Sequence, residues 1–481
     1  MKDIFTCRKL LKVLSFILCL ALCFGAVGVS SSQAADKDFK IEKGVLLKYY
    51  GSKKDVTIPS SVKKIGSGAF NNSDITSVEM SSSVTEIEAD AFRDNTKLKS
   101  ITLSDSLKTI GDGAFWGCTR LEEISFPKSV KTIGEAAFYN CTSLKKVTLG
   151  SSVTTISNKA FIKCSALTEI DIPKSVKTIG DEAFADCTAL KTVKFDKSFT
   201  GFGIDSFENT AWLTNKRNSD SFVVVNNVLI DAKTQTKHYP TLPKGIKKIG
   251  AGAIKDCDVI WEITIPDSVT EIGREAFAGS DRIADIVIPK KVTKIDERAF
   301  AGCGNLKSVK LSASLKEIGA EAFIDCTGLK SITKVPKSLA KIGRQAFAGT
   351  QWMKNKKVDN NSVTPIVVMN GILIDGTLCN GEVTIPDTVT TIATGAFENA
   401  ENIKTIKLGT SVKKIEAGAF VNCKILESVT ITTSVKKIVK NAFSSCPLLT
   451  TIKYDGTKKN LKDKLGITNG KIDGIKVEFL K

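Results

Sequence analysis

A phenylalanine, usually preceded by alanine, returns every 22 to 24 residues, and this period constrains the fold more than any other feature of the sequence. The marker residues form three runs: Phe70, Phe92, Phe115, Phe138, Phe161, Phe184 and Phe207; Ile254, Phe277, Phe300, Phe323 and Phe347; Phe397, Phe420 and Phe443. Self-similarity at a fixed period is typical of a solenoid, in which a unit buries its apolar face only against its neighbours. We therefore expect fifteen stacked turns rather than several globular domains.

The apolar positions inside one unit predict two short inward-facing segments. Leu121, Ile124 and Phe126 end in the alternation typical of a β-strand, and Val130 and Ile133 form a second segment. A proline and a glycine follow these segments at the points where the chain has to turn. The fold class is therefore mostly β, with short parallel strands stacked about 4.8 Å apart.

Two inserts interrupt the period and resemble the stretch FKIEKGVLLKYY at 39–50. They read FVVVNNVLIDAK at 222–233 and IVVMNGILIDGT at 366–377, two apolar strands around a turn of Asn and Gly, which predicts a β-hairpin. Ahead of each stands a tryptophan, Trp212 or Trp352, which we interpret as a plug closing an array, because terminal repeats are atypical where a stack is capped.

These features divide the chain into five segments. We predict a secretory leader at 1–34, a first array with an N-terminal hairpin cap at 35–218, and a second array with its opening hairpin at 219–356. The third array with its hairpin follows at 357–455, and a C-terminal cap occupies 456–481.

The first 34 residues have the pattern of a secretory signal peptide. Basic residues precede an apolar run from Val13 to Val29 and the small polar sequence SSSQAAD, with cleavage expected after Ala34 or Ala35. A retained membrane anchor and a lipid anchor at Cys23 are alternatives, but Leu22 stands where a lipid anchor would need a small residue. We expect an exported protein, secreted or held at the cell surface, with no membrane span after cleavage.

The composition argues against catalysis and against nucleic acid as a partner. The formal net charge of +18 becomes +15 once the leader is removed, which favours attraction to anionic polymers or acidic proteins. The lysines are spread along the chain without a nucleic-acid motif. A single histidine, His238, makes general acid–base chemistry and zinc catalysis poor expectations. We predict no enzyme activity, no catalytic residue, no cofactor and no metal.

The unit resembles the leucine-rich repeat of the BspA-like, treponemal-type surface proteins. The resemblance is plainest in AAFYNCTSLKKVTLGSSVTTI at 136–156 and EAFADCTALKTVKF at 182–195. It implies a curved solenoid with a ladder of short parallel strands, exported to the surface or the medium, and binding of matrix proteins, serum proteins or other microbes. Two departures, Ile254 in place of phenylalanine and the sequence FTGFG at 199–203, could bend the stack locally.

Nine of the ten cysteines beyond the leader occupy the third position after the repeat's aromatic residue: Cys118, Cys141, Cys164, Cys187, Cys257, Cys303, Cys326, Cys423 and Cys446. Other units hold Ser, Asn, Thr or Ala there. We favour a buried donor to the turn backbone, because a thiol that alternates with Ser, Asn and Thr behaves as one. Disulfides between stacked turns are the alternative, since neighbouring turns lie within bridging range.

Two outward faces are candidates for binding. A lysine stripe recurs at one position of the second segment: Lys63, Lys108, Lys131, Lys177, Lys247, Lys413 and Lys436. It serves either as a solvated face that keeps the sheet soluble or as a track for anions. The first strand of each unit also presents outward residues, among them Lys145, Lys146, Thr148, Lys191 and Lys194, which are the candidates for contacting a partner.

Trp261 falls at an outward slot of the same strand position, where it either anchors a ligand or packs against the neighbouring hairpin. Taken together, the sequence predicts a monomeric, extracellular scaffold that binds a protein, with adhesion as its role. The alternative is binding of carbohydrate or an anionic cell-wall polymer through the lysine stripe and Trp261.

Overall fold

The computed structural model describes residues 35–359 and 365–481. The predicted leader at 1–34 lies outside the described residues. The chain forms a mostly β solenoid of stacked repeats, as predicted. None of the helices in the described ranges is long and apolar enough to span a bilayer.

Each array opens with the β-hairpin expected from its sequence. The hairpins are Phe39–Glu42 with Val45–Tyr49, Val223–Val225 with Val228–Asp231, and Val367–Met369 with Ile372–Asp375. The turn residues Asn370 and Gly371 have φ of 49° and 74°, a left-handed pair that glycine and asparagine adopt at little cost. The second strand of each hairpin then pairs in parallel with the first repeat, and so starts the stack.

A two-residue strand, here called the short strand, recurs once per unit and continues each hairpin sheet. The short strands are Lys64–Ile65, Glu86–Ile87, Thr109–Ile110, Thr132–Ile133, Thr155–Ile156 and Thr178–Ile179 in the first array; Lys248–Ile249, Glu271–Ile272, Lys294–Ile295, Glu317–Ile318 and Lys341–Ile342 in the second; Thr391–Ile392, Lys414–Ile415 and Lys437–Ile438 in the third. The sheets contain eight, seven and five strands including the hairpins.

A longer strand, here called the ladder strand, forms the other side of each turn. The ladder strands are Asp55–Thr57, Ser77–Glu79, Ser100–Thr102, Glu123–Ser125, Lys146–Thr148, Glu169–Ile172, Thr192–Phe195, Asp285–Val287, Ser308–Lys310, Ser331–Thr333, Gly381–Thr384, Ile403–Lys407, Ser428–Thr432 and Thr451–Asp455. They pair in parallel but in separate groups, so the ladder is interrupted between turns at several places.

The repeat phenylalanines form a separate stack in the core of each array. Phe115 and Phe138 are fully buried, with ring centroids 5.0 Å apart and planes 11° from parallel. The stack runs from Phe70 to Phe207 in the first array and from Phe277 to Phe347 in the second. Each repeat of the sequence therefore corresponds to one turn of the solenoid, and successive turns rise by about the spacing of paired β-strands.

The glycine after the short strand is required by close approach of the turns. A Cβ on Gly134 would lie 2.5 Å from the carbonyl carbon of Gly111 in the turn below. Any side chain there would force neighbouring turns apart, which explains the repeated Ile-Gly of the sequence.

Both predicted tryptophan plugs lie at array ends, in short helices that the sequence pattern did not predict. Trp212, in the helix Ala211–Ser219, packs on Phe207 at 5.0 Å, and Trp352, in the helix Gln351–Asp359, packs on Phe347 at 5.2 Å. The Thr210 side chain caps the first helix by accepting from the Leu213 amide. The helix covers the last phenylalanine where no further turn follows.

The boundaries between arrays are structurally unequal. One buried apolar cluster extends from Leu46 to Val228, and a second extends from Phe222 to Val477 across the second and third arrays. The division of the chain into five segments, three of them repeat arrays, stays a prediction.

Both departures from the repeat are absorbed locally. Ile254 is fully buried, and its amide donates to the carbonyl of Ala276 as the phenylalanines do in their own turns. Phe199 and Phe202 pack edge to face at 4.8 Å, and a single bridge from Phe202 to Ile179 replaces the short strand.

The C-terminal cap consists of the helix Lys458–Leu465 and the strands Lys471–Ile472 and Ile475–Phe479. Ile475–Phe479 pairs in parallel with the last ladder strand, Thr451–Asp455, and so covers its edge.

Candidate functional site

The cysteines at the third position after the repeat's aromatic residue, here called the cysteine column, have a structural role in the core. Eight of the column's nine thiols donate to the carbonyl of the phenylalanine one turn below: Cys118 to Phe92, Cys141 to Phe115, Cys164 to Phe138, Cys187 to Phe161, Cys303 to Phe277, Cys326 to Phe300, Cys423 to Phe397 and Cys446 to Phe420, at 2.9 to 3.2 Å. Asn95 donates to Phe70 at 2.8 Å from the same position, and Ser280 donates to Ile254. The predicted role as a buried donor is confirmed.

Burial raises the pKa of the thiols of Cys118, Cys141, Cys164 and Cys187, which makes them weak acids. Desolvation raises the pKa of Cys118 to about 12, and it also raises the pKa of Cys141. The tenth cysteine, Cys379, lies outside the column beside Gly376, and its burial raises its pKa to about 11. Since the thiolate is the nucleophile and the metal ligand, these groups are poorly suited to either chemistry.

The described residues contain no candidate metal-binding site. Within 35–359 and 365–481, no three side chains of His, Cys, Asp or Glu converge in a way that could hold an ion.

The lysine stripe is a real column, but threonine interrupts it. All seven predicted lysines are exposed. Backbone hydrogen bonds connect successive members, as when the Thr85 amide donates to the Lys63 carbonyl at 2.8 Å and the Lys108 amide to Thr85 at 2.9 Å. None of the seven forms an ion pair within the described residues, whereas the next residue does in Lys64–Glu86 at 2.6 Å. The stripe therefore presents unpaired positive charge.

The outward side of the ladder strands, here called the ladder face, carries the predicted contact residues. Lys145, Lys146, Thr148, Lys191 and Lys194 are all exposed. The structure brings Lys146, Thr148 and Lys194 to one groove, while Lys145 pairs with Glu122 at 3.1 Å and Lys191 lies outside the groove lining.

This groove, here called the ladder groove, has a volume of about 400 Å³. Its lining places the cations Lys146 and Lys194 around the carboxylates of Glu169 and Asp171. Glu169 and Asp171 are exposed on the same side of their ladder strand, but their grouping with the lysines was not predicted from the sequence. No strand pairing joins Lys146–Thr148 to Glu169–Ile172, although each pairs with its other neighbour. The groove follows from this interruption of the ladder.

Trp261 lies on the ladder face of the second array and is 45% exposed. Its ring packs on that of His238 at 4.8 Å, and Tyr239, which is 66% exposed, meets it edge to face at 6.2 Å. The contact is therefore with the segment after the hairpin rather than with its strands. His238 and Tyr239 were not predicted to contact Trp261. The one signal for this contact in the sequence is that His238 and Tyr239, two adjacent residues with ring side chains, lie one repeat before Trp261.

Stacked parallel ladder strands, a phenylalanine core and polar outward columns define a leucine-rich-repeat solenoid. The family model for the BspA type leucine rich repeat region matches residues 46–166, 108–237, 232–354 and 377–476. The chain belongs to this family of leucine-rich-repeat scaffolds.

Three solved structures illustrate the similarity. A leucine-rich repeat protein of Bacteroides ovatus is 21% identical over 95% of this chain and 98% of its own, with a TM-score of 0.34. The leucine-rich repeat protein of T. pallidum is 31% identical over 37% of this chain and 88% of its own, with a TM-score of 0.36. The pneumococcal vaccine antigen PcpA is 20% identical over 92% of this chain and 96% of its own, with a TM-score of 0.35. No curated protein matches the sequence significantly.

Proposed function

We propose that this protein is an exported scaffold that binds an extracellular protein through the ladder face of its first array, with adhesion as its role. The observation that carries the proposal is the ladder groove, in which Lys146 and Lys194 stand with Glu169 and Asp171 around an interruption of the strands. Charges of both signs on a rigid scaffold suit a polar protein surface, because complementary charge fixes orientation and excludes wrong partners.

Support for an extracellular site comes from the signal-peptide pattern at 1–34 and from membership of a family in which exported members are expected. We propose secretion or surface display after cleavage, a monomeric state, and no role for nucleic acid. The stacked repeats hold the ladder face in place before a partner binds. Little conformational entropy is therefore lost on binding.

The test is a binding screen of residues 35–481 against immobilised matrix and serum proteins and against glycans. For each protein retained, the double variant Lys146→Glu, Lys194→Glu should lower affinity about tenfold or more, because two favourable charge contacts become repulsive. The matched control is Lys407→Glu, Lys453→Glu, since both lysines are exposed on the ladder face of the third array. Retention of no extracellular protein, or equal loss in both variants, contradicts the proposal.

A second candidate function is binding of carbohydrate or an anionic wall polymer. Its support is the exposed Trp261 with Tyr239, together with the unpaired lysine stripe. Aromatic rings that present an open face suit sugar rings, and unpaired lysines attract polyanions with an affinity that falls steeply with salt. Retention that is lost between low and physiological salt and weakened by Trp261→Ala would favour this function over the first.

A further inference from the structure

An apolar groove, here called the corner groove, lies at the end of the second array, far along the chain from the ladder groove. It has a volume of about 570 Å³ and is lined by residues of four successive turns. Val287 and Val335 are 58% and 39% exposed there, over a floor that includes the buried Leu311 and Ile288.

Val287 breaks the polarity of its column. The strand register aligns it with Lys310 and then Thr333. The corresponding residues in the first array are Thr57, Glu79, Thr102, Ser125, Thr148, Asp171 and Lys194. An apolar side chain in a column otherwise built of polar ones is not needed for the core, since this side of the strand faces solvent.

Val335 is exposed because the last unit of the array has one extra residue. Phe323 and Phe347 are 24 residues apart, and the extra residue falls at Lys334, which has a φ of 59°. Lys334 and Val335 therefore take the place of the single inward residue that Leu311 supplies one turn below, and Val335 is turned outward beside Pro336.

The corner is held rigidly and stays open. The Asn370 side chain, from the hairpin of the third array, donates to the Leu339 carbonyl at 2.7 Å. At the end of the first array Asn226 clamps the corresponding corner, but there Phe199 is buried and packs against Phe195 at 5.5 Å. The first corner is thus closed by its own aromatic residues, whereas the second leaves apolar surface uncovered.

The rim of the corner groove is cationic. Lys290, Lys310, Lys334 and Lys337 surround it with a single carboxylate, Asp267, which pairs with Lys290 at 2.9 Å. Among the described residues, Lys310, Lys334 and Lys337 form no ion pair. An occupant therefore has to combine an apolar group with negative charge on both sides of it.

We propose that the corner groove binds an extended acidic segment of a partner protein, which inserts one apolar side chain between Val287 and Val335. The inference rests on the proposed function, binding of an extracellular protein, and names the chemistry of one segment of that partner. Carboxylates flanking the inserted side chain meet Lys310 and Lys334 or Lys337, and the preformed corner keeps the ordering cost low.

The test uses two fluorescein-labelled peptides, Asp-Glu-Asp-Leu-Asp-Glu-Asp and the same peptide with Gly for Leu, in anisotropy titrations with residues 35–481. The leucine peptide should bind about tenfold more tightly than the glycine peptide. Val287→Ser with Val335→Ser should abolish that difference, and Lys310→Glu with Lys337→Glu should weaken both peptides about tenfold or more. Ile425→Ser, which changes an apolar residue 41% exposed in the third array, and Lys407→Glu are the matched controls.

Equal binding of the two peptides, or equal effects of groove and control variants, overturns the inference. Binding of oleate that depends on Val287 and Val335, without binding of the leucine peptide, assigns the groove to a lipid anion and also overturns it. Failure here with retention of a partner by the ladder groove leaves the proposed function intact. Peptide binding without any retained extracellular protein contradicts the proposed function alone.

Discussion

The thiol of Cys141 donates to the carbonyl oxygen of Phe115 at 3.2 Å, one turn below, and both residues are fully buried. The same bond recurs along the column with sulfur, oxygen or nitrogen as the donor atom. The Phe115 carbonyl also accepts from the Cys118 amide at 3.2 Å, so the thiol is a second donor to this buried carbonyl and links one turn to the next.

Two substitutions of Cys141 should distinguish the contribution of its hydrogen bond to stability from the contribution of its side-chain volume. Cys141→Ser keeps the donor and should lower the free energy of unfolding by less than Cys141→Ala, which removes one of the two donors to the Phe115 carbonyl and should cost about 0.5–1.5 kcal/mol. Urea denaturation followed by circular dichroism measures both, with the exposed Lys128→Ala as control. Equal costs for Ser and Ala would show that the hydrogen bond is unimportant.

The column thiols should resist alkylation in the folded protein even at alkaline pH. Burial raises the pKa of Cys118 to about 12, so at pH 9, where a free thiol is about half ionised, it stays protonated. Intact mass after iodoacetamide treatment at pH 9 should show little label without denaturant and full label with it. Rapid labelling of the folded chain would place the thiols at the surface.

The same pKa shift predicts the direction of alkaline destabilisation. A thiol whose folded pKa lies above its unfolded value stabilises the fold fully below about pH 9, and that contribution is lost as the pH rises toward 12. The free energy of unfolding should decline over this window more steeply for the parent than for Cys118→Ser, which has no titrating group there. Parallel curves for the two proteins would contradict the prediction.

Trp212 should stabilise the end of the first array specifically. Trp212→Ala uncovers Phe207, on which the indole packs at 5.0 Å, and removal of a buried tryptophan costs about 3–5 kcal/mol. Hydrogen exchange should accelerate in the turns next to the helix Ala211–Ser219 and stay unchanged near Phe420. Trp352→Ala is the matched variant for the second array, and a uniform loss of protection along the chain would argue against local capping.

Arg217 should be needed where the first array meets the next hairpin. Its guanidinium is bidentate to Glu208 at 2.9 and 2.7 Å and to Asp231 at 2.9 and 2.6 Å, and the hydrogen bond to Asp231 does most to raise its pKa. Arg217→Met leaves the buried Asp231 without its cationic partner, while Glu208 keeps Lys233 at 3.2 Å, and should cost about 3–5 kcal/mol in thermal or urea unfolding.

The exposed pair Lys404–Glu427, at 3.7 Å, supplies the control for Arg217. Lys404→Met should cost no more than about 1 kcal/mol, because surface ion pairs contribute little. Equal effects of the two substitutions would show that the Arg217 network contributes no more than a surface pair.

Much of the fold was predictable because each repeat packs against copies of itself that lie at a fixed spacing along the sequence. The spacing of Phe115 and Phe138 predicted the stack, and the alternation of Cys with Ser and Asn predicted the buried donor. The helices around Trp212 and Trp352 were missed, because nine-residue segments such as AWLTNKRNS carry little amphipathic pattern and form only against the exposed end of a stack.

The sites were less predictable than the fold. The outward direction of Lys146 and Lys194 followed from strand alternation, but their meeting with Glu169 and Asp171 depends on the missing strand pairing between two turns. Likewise Trp261 was expected at the surface, but its contact with His238 depends on the course of the segment after the second hairpin.

The sequence by itself determined the period, the class of fold, the buried columns and the positions of the hairpins, since each depends on residues that repeat at fixed spacing. Only the tertiary structure decided where the ladder opens, how the arrays end and which apolar side chains stay uncovered. Those features depend on a few bonds across turns and on one extra residue at Lys334, which change local geometry without changing the repeat that specifies the fold.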